Sequence, residues 1–571
     1  MKTRMGLAPI ALAAAATVLF TAMPGDAHAA ATGVRLSFTD DTSTTMTVSW
    51  NTDAAADTEV RYGTSPGAYT ATAPGTSFQA TSGLGFVHEA TLTKLSPSTV
   101  YYYVAGSAAG GYTKESSFMT GPEQDQACGS FKFVFTGDNR PDPTFGGGQN
   151  WPQILGQSVG QNPEFALNGG DLVTDGDNID GWNDFLGWTE TVASTIAFMP
   201  TIGNHDNGPG DGDTANYNQL FALPRSQGTY GSGTEDYYFF TYGNAIIVAL
   251  STEGFKGGSG AFGNQAAWLD EVFTANPRKW KFVFYHSPSY TKEVVFSVSH
   301  PPNEEGQNAA LIPIFDKHHV DVVFTSHNHW YERFEPTACA TKGDPGSSDP
   351  CPVGASNYAQ GTVFYVSGGA GAFTIPAFLC GTLTGRAKCS GDHHYIVADI
   401  KNETLKLDTW AAYPQNNQII DTITITKAAE SCAAPPDAGT PDTGVLDTGV
   451  PDSGIDASVA DADGDAGTTP DGAPQPDASG TDQGPATDQG QPDPDAAEQD
   501  TGTPPGDGSA GSDGETAQDA ALAEDSGGGQ SDAGGPGTRR DAGGGPGGGT
   551  ADGDSAGGCS CQTVGLAGAA P

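Results

Sequence analysis

The chain has 571 residues, with 68 Asp and Glu against 24 Lys and Arg, and a formal net charge of -44 at pH 7. Much of this acidity lies in residues 433–558, which contain 26 acidic and 2 basic residues. Because neutralising a phosphate backbone requires clustered Lys and Arg, and no stretch of the chain supplies them, the composition argues against nucleic acid as a partner.

Residues 1–29 have the pattern of an export signal. Lys2 and Arg4 precede an apolar stretch from Leu7 to Ala22, and small residues lead to a predicted cleavage point after Ala29. A membrane anchor is the alternative, but the apolar stretch is short for a span. We therefore expect an extracellular protein whose cysteines can form disulfides.

Residues 30–121 alternate apolar and polar side chains in short runs, as in Met46 to Trp50 and Val100 to Val104. Turn clusters such as Thr64 to Gly67 separate these runs. Period-two runs without a helical pattern predict a β-sandwich of fibronectin type III character.

Residues 128–432 change to fully apolar strands, each followed by a polar cluster, with helical segments between them. Phe131 to Thr136 and Trp280 to Tyr285 are typical strands, and Ala309 to His318 has helical spacing. This alternation predicts a layered α/β domain whose chemistry lies where the strands end.

Residues 433–558 contain no aromatic residue and consist largely of Asp, Gly, Pro, Ala, Thr and Ser. Such a segment buries too little apolar area to offset its ordering entropy, which predicts a disordered, extended stalk. A calcium module is the alternative, but the regular ligand spacing of calcium loops is missing. Residues 559–571 contain Cys559 and Cys561 after two glycines, which resembles the start of the cysteine-containing sorting signals of exported proteins. That resemblance implies a lipid on a cysteine and attachment to the cell surface. A disordered end with two incidental cysteines is the alternative.

Metal-ligand residue types recur at the ends of the apolar strands of the α/β domain. Carboxylate, amide and imidazole groups are ligands that divalent and ferric ions accept, and one shared carboxylate can hold two ions. A single Gly-Asp after a strand is usually a turn, but a series of such motifs is hard to explain by turns. The motifs are Gly137-Asp138-Asn139-Arg140, Gly170-Asp171-Leu172-Val173-Thr174, Gly203-Asn204-His205-Asp206, Tyr285-His286-Ser287-Pro288 and Ser326-His327-Asn328-His329.

These motifs resemble those of the calcineurin-like metallophosphoesterase superfamily, and the preceding β-sandwich resembles the amino-terminal domain of its purple acid phosphatase branch. The resemblance covers roughly residues 32 to 427. It is carried by Tyr62-Gly63-Thr64-Ser65, Val87-His88-Glu89-Ala90-Thr91-Leu92 and Ser117-Phe118-Met119-Thr120 in the first domain, and by Gly203-Asn204-His205-Asp206 and His329-Trp330-Tyr331-Glu332-Arg333 in the second.

The resemblance implies a centre of two metal ions, with iron, zinc or manganese as candidates. Asp171 would bridge both ions, and His205 would face the substrate as a proton donor or phosphate contact. The remaining ligands would be Asp138 and His329 for the first metal, and Asn204, His286 and His327 for the second.

Two departures from the family pattern matter for the site, and a smaller one is Ser326, which stands where the family usually has Gly and which a turn can accept. Thr174 stands where the purple branch has the tyrosine that gives the colour, and Arg140 stands where other members have a histidine ligand. The first metal site is thus one protein ligand short, unless Asp175 folds inward. Arg140 would contact a phosphate oxygen or pair with a nearby carboxylate. His300 is the nearest candidate for a further family histidine over the substrate, although its spacing to Glu305-Gly306 is longer.

The expected function is hydrolysis of small phosphorylated substrates by a metal-activated hydroxide, most simply as an acid-phosphatase-like phosphomonoesterase. A phosphodiesterase of the same superfamily and a catalytically weak extracellular binding or adhesion protein are the alternatives. The sequence also predicts local disulfides, Cys339 with Cys351 and Cys380 with Cys389, and a further pairing of Cys128 with Cys432.

Overall fold

A computed structural model describes residues 31–429 apart from 82, 126, 142–149, 209–211, 254–259 and 293–299. The predictions for the signal segment, the acidic stalk, the carboxyl-terminal cysteine segment and Cys432 lie outside the described residues. Within the described residues, no helix has the length and apolar character needed to cross a bilayer.

The first domain consists of short strands, because its alternating side chains leave one face of each strand to pack and the other to meet solvent. Trp50 and Tyr103 are fully buried between its two sheets. The strands are β1 (Thr32–Ser37), β2 (Met46–Thr52), β3 (Glu59–Gly63), β4 (Ala71–Pro74), β5 (Thr76–Gln79), β6 (Phe86–Leu92), β7 (Val100–Ser107), β8 (Gly111–Tyr112) and β9 (Ser116–Met119).

These strands form the predicted β-sandwich. One sheet has the order β1-β2-β6-β5, and the other has the order β4-β3-β7-β8, with β9 also paired to β7. The sandwich prediction for the first domain is therefore confirmed.

The second domain contains the apolar strands that the sequence indicated, with helices between several of them. Its strands are β10 (Ser130–Thr136), β11 (Phe165–Asn168), β12 (Ala197–Pro200), β13 (Tyr238–Tyr242), β14 (Ala245–Ala249), β15 (Trp280–Phe284), β16 (Val322–Thr325), β17 (Tyr331–Phe334), β18 (Val363–Ser367), β19 (Arg386–Ser390), β20 (His394–Lys401), β21 (Thr404–Ala411) and β22 (Gln418–Thr426). Its helices are α1 (Trp151–Val159), α2 (Ile179–Ala193), α3 (Asn216–Leu220), α4 (Gly260–Ala275), α5 (Asn308–His318) and α6 (Cys339–Lys342).

Two sheets pack face to face in the second domain. In one, β10, β11 and β12 are parallel neighbours, and in the other, β14, β15, β16 and β18 are parallel neighbours. Phenylalanine rings pack between the two sheets. The ring centroids of Phe133 and Phe282 lie 5.1 Å apart, and those of Phe135 and Phe324 lie 4.8 Å apart. Helices α4 and α5 pack on the outer face of the second sheet. Helices α1 and α2 pack against the first sheet, where Trp151 and Phe185 contact Phe198. The predicted layered α/β domain is therefore confirmed, with its layers in the order helix, sheet, sheet, helix (αββα).

The first sheet continues from one domain into the other, which the sequence did not predict. Strand β1 pairs in parallel with β12, with Leu36 opposite Ala197. Phe38 extends the shared core, because its ring lies 5.9 Å from Phe165 and 5.4 Å from Phe240. The sandwich therefore supports the strand that leads into the Asn204 loop.

Both local disulfide predictions are confirmed. Cys339 is bonded to Cys351, and Cys380 is bonded to Cys389. Cys128 is also disulfide-bonded.

Candidate metal centre

The predicted ligand residues lie where strands of the two facing sheets end. Because the carboxyl ends of parallel strands meet at one edge of a sheet, the loops that follow them converge there. Asp138 follows β10, Asp171 follows β11, Asn204 follows β12, His286 follows β15, His327 follows β16, and His329 precedes β17.

Asp138, Asp171 and His329 form the first of two adjoining groups. One ligand atom from each lies within 4.8 Å of the others, and all three residues are buried. Asp138 Oδ1 lies 3.4 Å from His329 Nε2. That carboxylate oxygen is buried and has no hydrogen-bond partner among the described residues. Buried charges need a partner, so the group fits a cation.

The second group converges on His286 Nε2. Asn204 Oδ1 lies 3.0 Å from this nitrogen, His327 Nδ1 lies 3.1 Å from it, and Asp171 Oδ1 lies 3.2 Å from it. His286 Nδ1 donates to the Gly169 carbonyl at 2.8 Å, which directs Nε2 into the site. Oxygen and imidazole nitrogen donors of this kind suit zinc, manganese or iron. Asp171 belongs to both groups, as a bridging carboxylate requires.

The ionisable side chains of the site shift one another's pKa values. Burial raises the pKa of Asp171, but the neighbouring His286, His205 and Arg140 outweigh burial and hold that pKa well below its usual range. Burial lowers the pKa of His286, whereas Asp171 and Asp138 raise it, with a net rise to about 9. Burial and the adjacent His286 hold the pKa of His327 well below its usual value. A bound metal ion would replace the proton of His286.

Three ligand residues have left-handed backbone conformations. The φ angles are 54° at Asp138, 57° at Asp171 and 69° at His327. Such conformations are costly for residues other than glycine and concentrate at functional sites. The neighbouring Gly137 is required for a different reason, because a Cβ atom there would collide with the hydroxyl of Ser326. The absence of a side chain at Gly137 therefore leaves room for the Ser326 hydroxyl.

Asp206 holds together the loop that carries Asp171 and the loop that carries Asn204, a role that the sequence did not reveal. Its Oδ2 accepts the backbone N–H groups of Asp171 and Gly203, both at 2.9 Å. Its Oδ1 accepts those of Leu172 at 2.7 Å and Val173 at 3.1 Å. The residue is fully buried. Asp206 therefore fixes the backbone that presents both the bridging carboxylate and Asn204.

Glu304 is a second residue without a predicted role. Its Oε2 lies 3.3 Å from His327 Nε2, on the opposite side of the ring from Nδ1. A carboxylate at the outer nitrogen of a ligand histidine fixes the tautomer and the ring orientation. The Glu-Glu pair before Gly306 was the available sequence signal, but nothing in the sequence connected it to His327.

His205 and His300 both border the centre. His205 Nδ1 donates to the Thr174 carbonyl at 2.7 Å, and its Nε2 lies 4.0 Å from Asp171 Oδ2. The His205 side chain is 32% exposed, so its Nε2 can reach a substrate. The His300 ring packs edge-on against His327, with centroids 4.0 Å apart. Burial and the nearby His329 lower the pKa of His300.

Arg140 pairs with the bridging carboxylate. Its Nε lies 3.2 Å from Asp171 Oδ2, and its Nη2 lies 3.5 Å from His329 Nε2. Of the two roles considered for Arg140, the described structure shows the carboxylate pairing.

The two domains match different family models. Residues 31–120 match the amino-terminal domain of purple acid phosphatases, and residues 131–331 match the calcineurin-like phosphoesterase domain. The chain belongs to the calcineurin-like metallophosphoesterases. Its likeness to purple acid phosphatases in these models rests on the first domain.

Several known proteins are similar to this chain. The metallophosphoesterase is 29% identical over 308 residues to the probable purple acid phosphatase 20 of Arabidopsis thaliana, covering 51% of this chain and 66% of that protein. It is 28% identical over 403 residues to an uncharacterized protein of Mycobacterium tuberculosis, covering 62% and 73%. It is 29% identical over 290 residues to the phosphoenolpyruvate phosphatase of Allium cepa, covering 48% and 56%.

Solved structures support the fold. A purple acid phosphatase isolated from yellow lupin (Lupinus luteus) seeds aligns with a TM-score of 0.57 at 20% identity, covering 72% of this chain and 78% of that one. PhoD aligns with a TM-score of 0.51 at 13% identity, covering 69% and 88%.

The purple-branch tyrosine has no replacement among the candidates considered. The Thr174 hydroxyl is exposed and donates to the Pro141 carbonyl at 2.7 Å. Asp175 is also exposed and accepts the backbone N–H of Asp177, so the hypothesis that it folds inward is wrong. Tyr217 and Tyr290 are the tyrosines that could replace the missing phenolate. The Tyr217 hydroxyl donates to the Pro200 carbonyl, and the Tyr290 hydroxyl donates to Cys339 Sγ, so neither is bonded to a ligand residue. The metallophosphoesterase therefore keeps a reduced first site.

Proposed function

We propose that this metallophosphoesterase hydrolyses phosphomonoesters with the help of two metal ions at the candidate centre. The observation that carries the proposal is the pair of adjoining ligand groups that share Asp171, with a buried oxygen on Asp138 that accepts no hydrogen bond from the described residues. Bound ions would polarise the phosphoryl oxygens and lower the pKa of water to supply a nucleophile near neutral pH.

The protein side chains supply positioning and proton transfer. Asp138, Asp171 and His329 would hold the first ion, and Asn204, His286 and His327 would join Asp171 at the second. The Nδ1–H of His205 donates a hydrogen bond to the Thr174 carbonyl. Nε2 of the doubly protonated ring would therefore give its proton to the departing alkoxide, which leaves a neutral ring that keeps Nδ1–H. The His300 ring lies 4.0 Å from the His327 ring, centroid to centroid, so it borders the second group and would lie over the substrate.

Substrate class is tested by comparing p-nitrophenyl phosphate with bis(p-nitrophenyl) phosphate, using the full chain supplied with manganese, zinc or iron. We expect faster hydrolysis of the monoester. Faster hydrolysis of the diester would assign a phosphodiesterase instead, and hydrolysis of neither would favour a binding or adhesion role.

We also propose that the enzyme is exported and held at the cell surface, on the basis of residues 1–29 and of Cys559 and Cys561. Fractionation of cells producing the chain with these cysteines intact or changed to Ser tests the attachment. Retention of the intact form and release of the Ser form are expected. Equal release of both forms would rule out anchoring through these residues.

A further inference from the structure

A guanidinium group lies inside the first metal site. Arg140 is only 8% exposed, and its Nε donates to Asp171 Oδ2 at 3.2 Å. Its Nη2 lies 3.5 Å from His329 Nε2. Asp171 Oδ2 and His329 Nε2 are two of the atoms that the first metal ion would use. The guanidinium and the ion would therefore compete for the same lone pairs.

The first site also has the poorer donor set. Its protein ligands are Asp138, Asp171 and His329. Thr174 turns its hydroxyl to a backbone carbonyl, and Asp175 caps a turn at the surface. No fourth side-chain donor therefore replaces the family tyrosine at these two positions.

The second site has a fuller donor set. Asn204 Oδ1, His327 Nδ1 and Asp171 Oδ1 all lie within 3.2 Å of His286 Nε2. Arg140 contacts the other carboxylate oxygen of Asp171, so its charge is directed at the first site. The asymmetry between the sites thus has two causes, a missing donor and a resident positive charge.

We propose that Arg140 is the resident cation of the first site. Its guanidinium opposes a metal ion there, so the chain binds one ion tightly at the second site and a further ion much more weakly. This inference rests on the proposed function for its ligand set, but it concerns metal affinity rather than turnover. In the enzyme with one ion bound, Arg140 supplies the positive charge that the bridging carboxylate would otherwise take from a second metal.

The test is calorimetric titration of chelator-treated full chain with Zn²⁺ or Mn²⁺, without substrate. For the wild type we expect one tight equivalent and a second that is weaker by about tenfold or more. Arg140→Met and Arg140→Ala, which remove the charge, should tighten the second equivalent by about tenfold or more. Arg140→Lys, which retains a charge, should leave it weak. Arg61→Met in the first domain is the matched control and should behave as wild type.

The site of each equivalent is assigned with Asn204→Ala, which should remove the tight equivalent. Two equally tight equivalents in the wild type would overturn the inference without the need for any variant. An unchanged second equivalent in Arg140→Met, or a tight equivalent that survives Asn204→Ala, would overturn it as well. The predicted titration in a chain that hydrolyses no phosphoester would contradict the proposed function while leaving this inference standing.

Discussion

Replacing Asp206 by Asn is expected to destabilise the fold and weaken metal binding together. In the wild type, each carboxylate oxygen of Asp206 accepts two backbone N–H groups. Whichever way an Asn amide is oriented, its NH₂ group faces two of those donors. Burial and the nearby Asp171 raise the pKa of Asp206 to about 7, so the comparison is made at about pH 8, where the carboxylate is charged and each lost bond to it is worth about 1.5–3 kcal/mol. The free energy of unfolding should therefore fall by about 3–6 kcal/mol, a large part of the about 5–15 kcal/mol typical of a folded domain.

Urea denaturation of the metal-free chain measures the loss of stability, and metal analysis after dialysis measures how much metal each variant retains. Asp184→Asn is the control, because Asp184 is exposed on α2 and should change the free energy by no more than about 0.5 kcal/mol. Retention should fall in Asp206→Asn because the loop carrying Asp171 loses its anchor. An Asp206→Asn chain with the stability and metal content of Asp184→Asn would refute this account of the loops.

Four further outcomes are expected. Asp171→Asn should abolish turnover and weaken the binding of both metal equivalents, since one carboxylate serves two ions; a metal titration equal to that of the wild type would contradict the bridging role. His205→Ala should keep near-normal metal content and lower kcat by about 10²–10⁴, and loss of metal would show that its role is different. Glu304→Gln should weaken metal binding by about 10–100-fold, whereas the neighbouring Glu305→Gln should not; equal titrations of the two variants would count against positioning. The metal-loaded enzyme should lack a strong visible band, because Thr174 cannot form a phenolate-to-ferric bond, and absorption spectroscopy that finds one would contradict this.

The layered fold and the neighbourhood of the site could be predicted because both depend on local patterns. Apolar strands ending in Asp, Asn or His place those residues at one edge, as Asp138, Asp171 and His286 show. The partner of Arg140 could not be chosen, because a phosphate oxygen and a carboxylate suit a guanidinium equally well. Only the folded loops bring Asp171 Oδ2 to its Nε.

The role of Asp206 was hidden for a similar reason. Its four donors come from two loops, one around residue 172 and one beginning at Gly203. A sequence motif shows that a carboxylate is present but not which backbone N–H groups will converge on it. The joining of β1 to β12 was missed because pairing of strands far apart in sequence leaves little local signal.

Hydrolysis of p-nitrophenyl phosphate during stepwise metal addition tests whether the ligand groups around Asp171 form a metal-dependent catalytic centre. We expect no hydrolysis by the chelator-treated chain, recovery on addition of manganese, zinc or iron, and no recovery in Asp171→Asn. Hydrolysis that persists without metal or in Asp171→Asn, or a folded, metal-loaded wild type without activity, would contradict it.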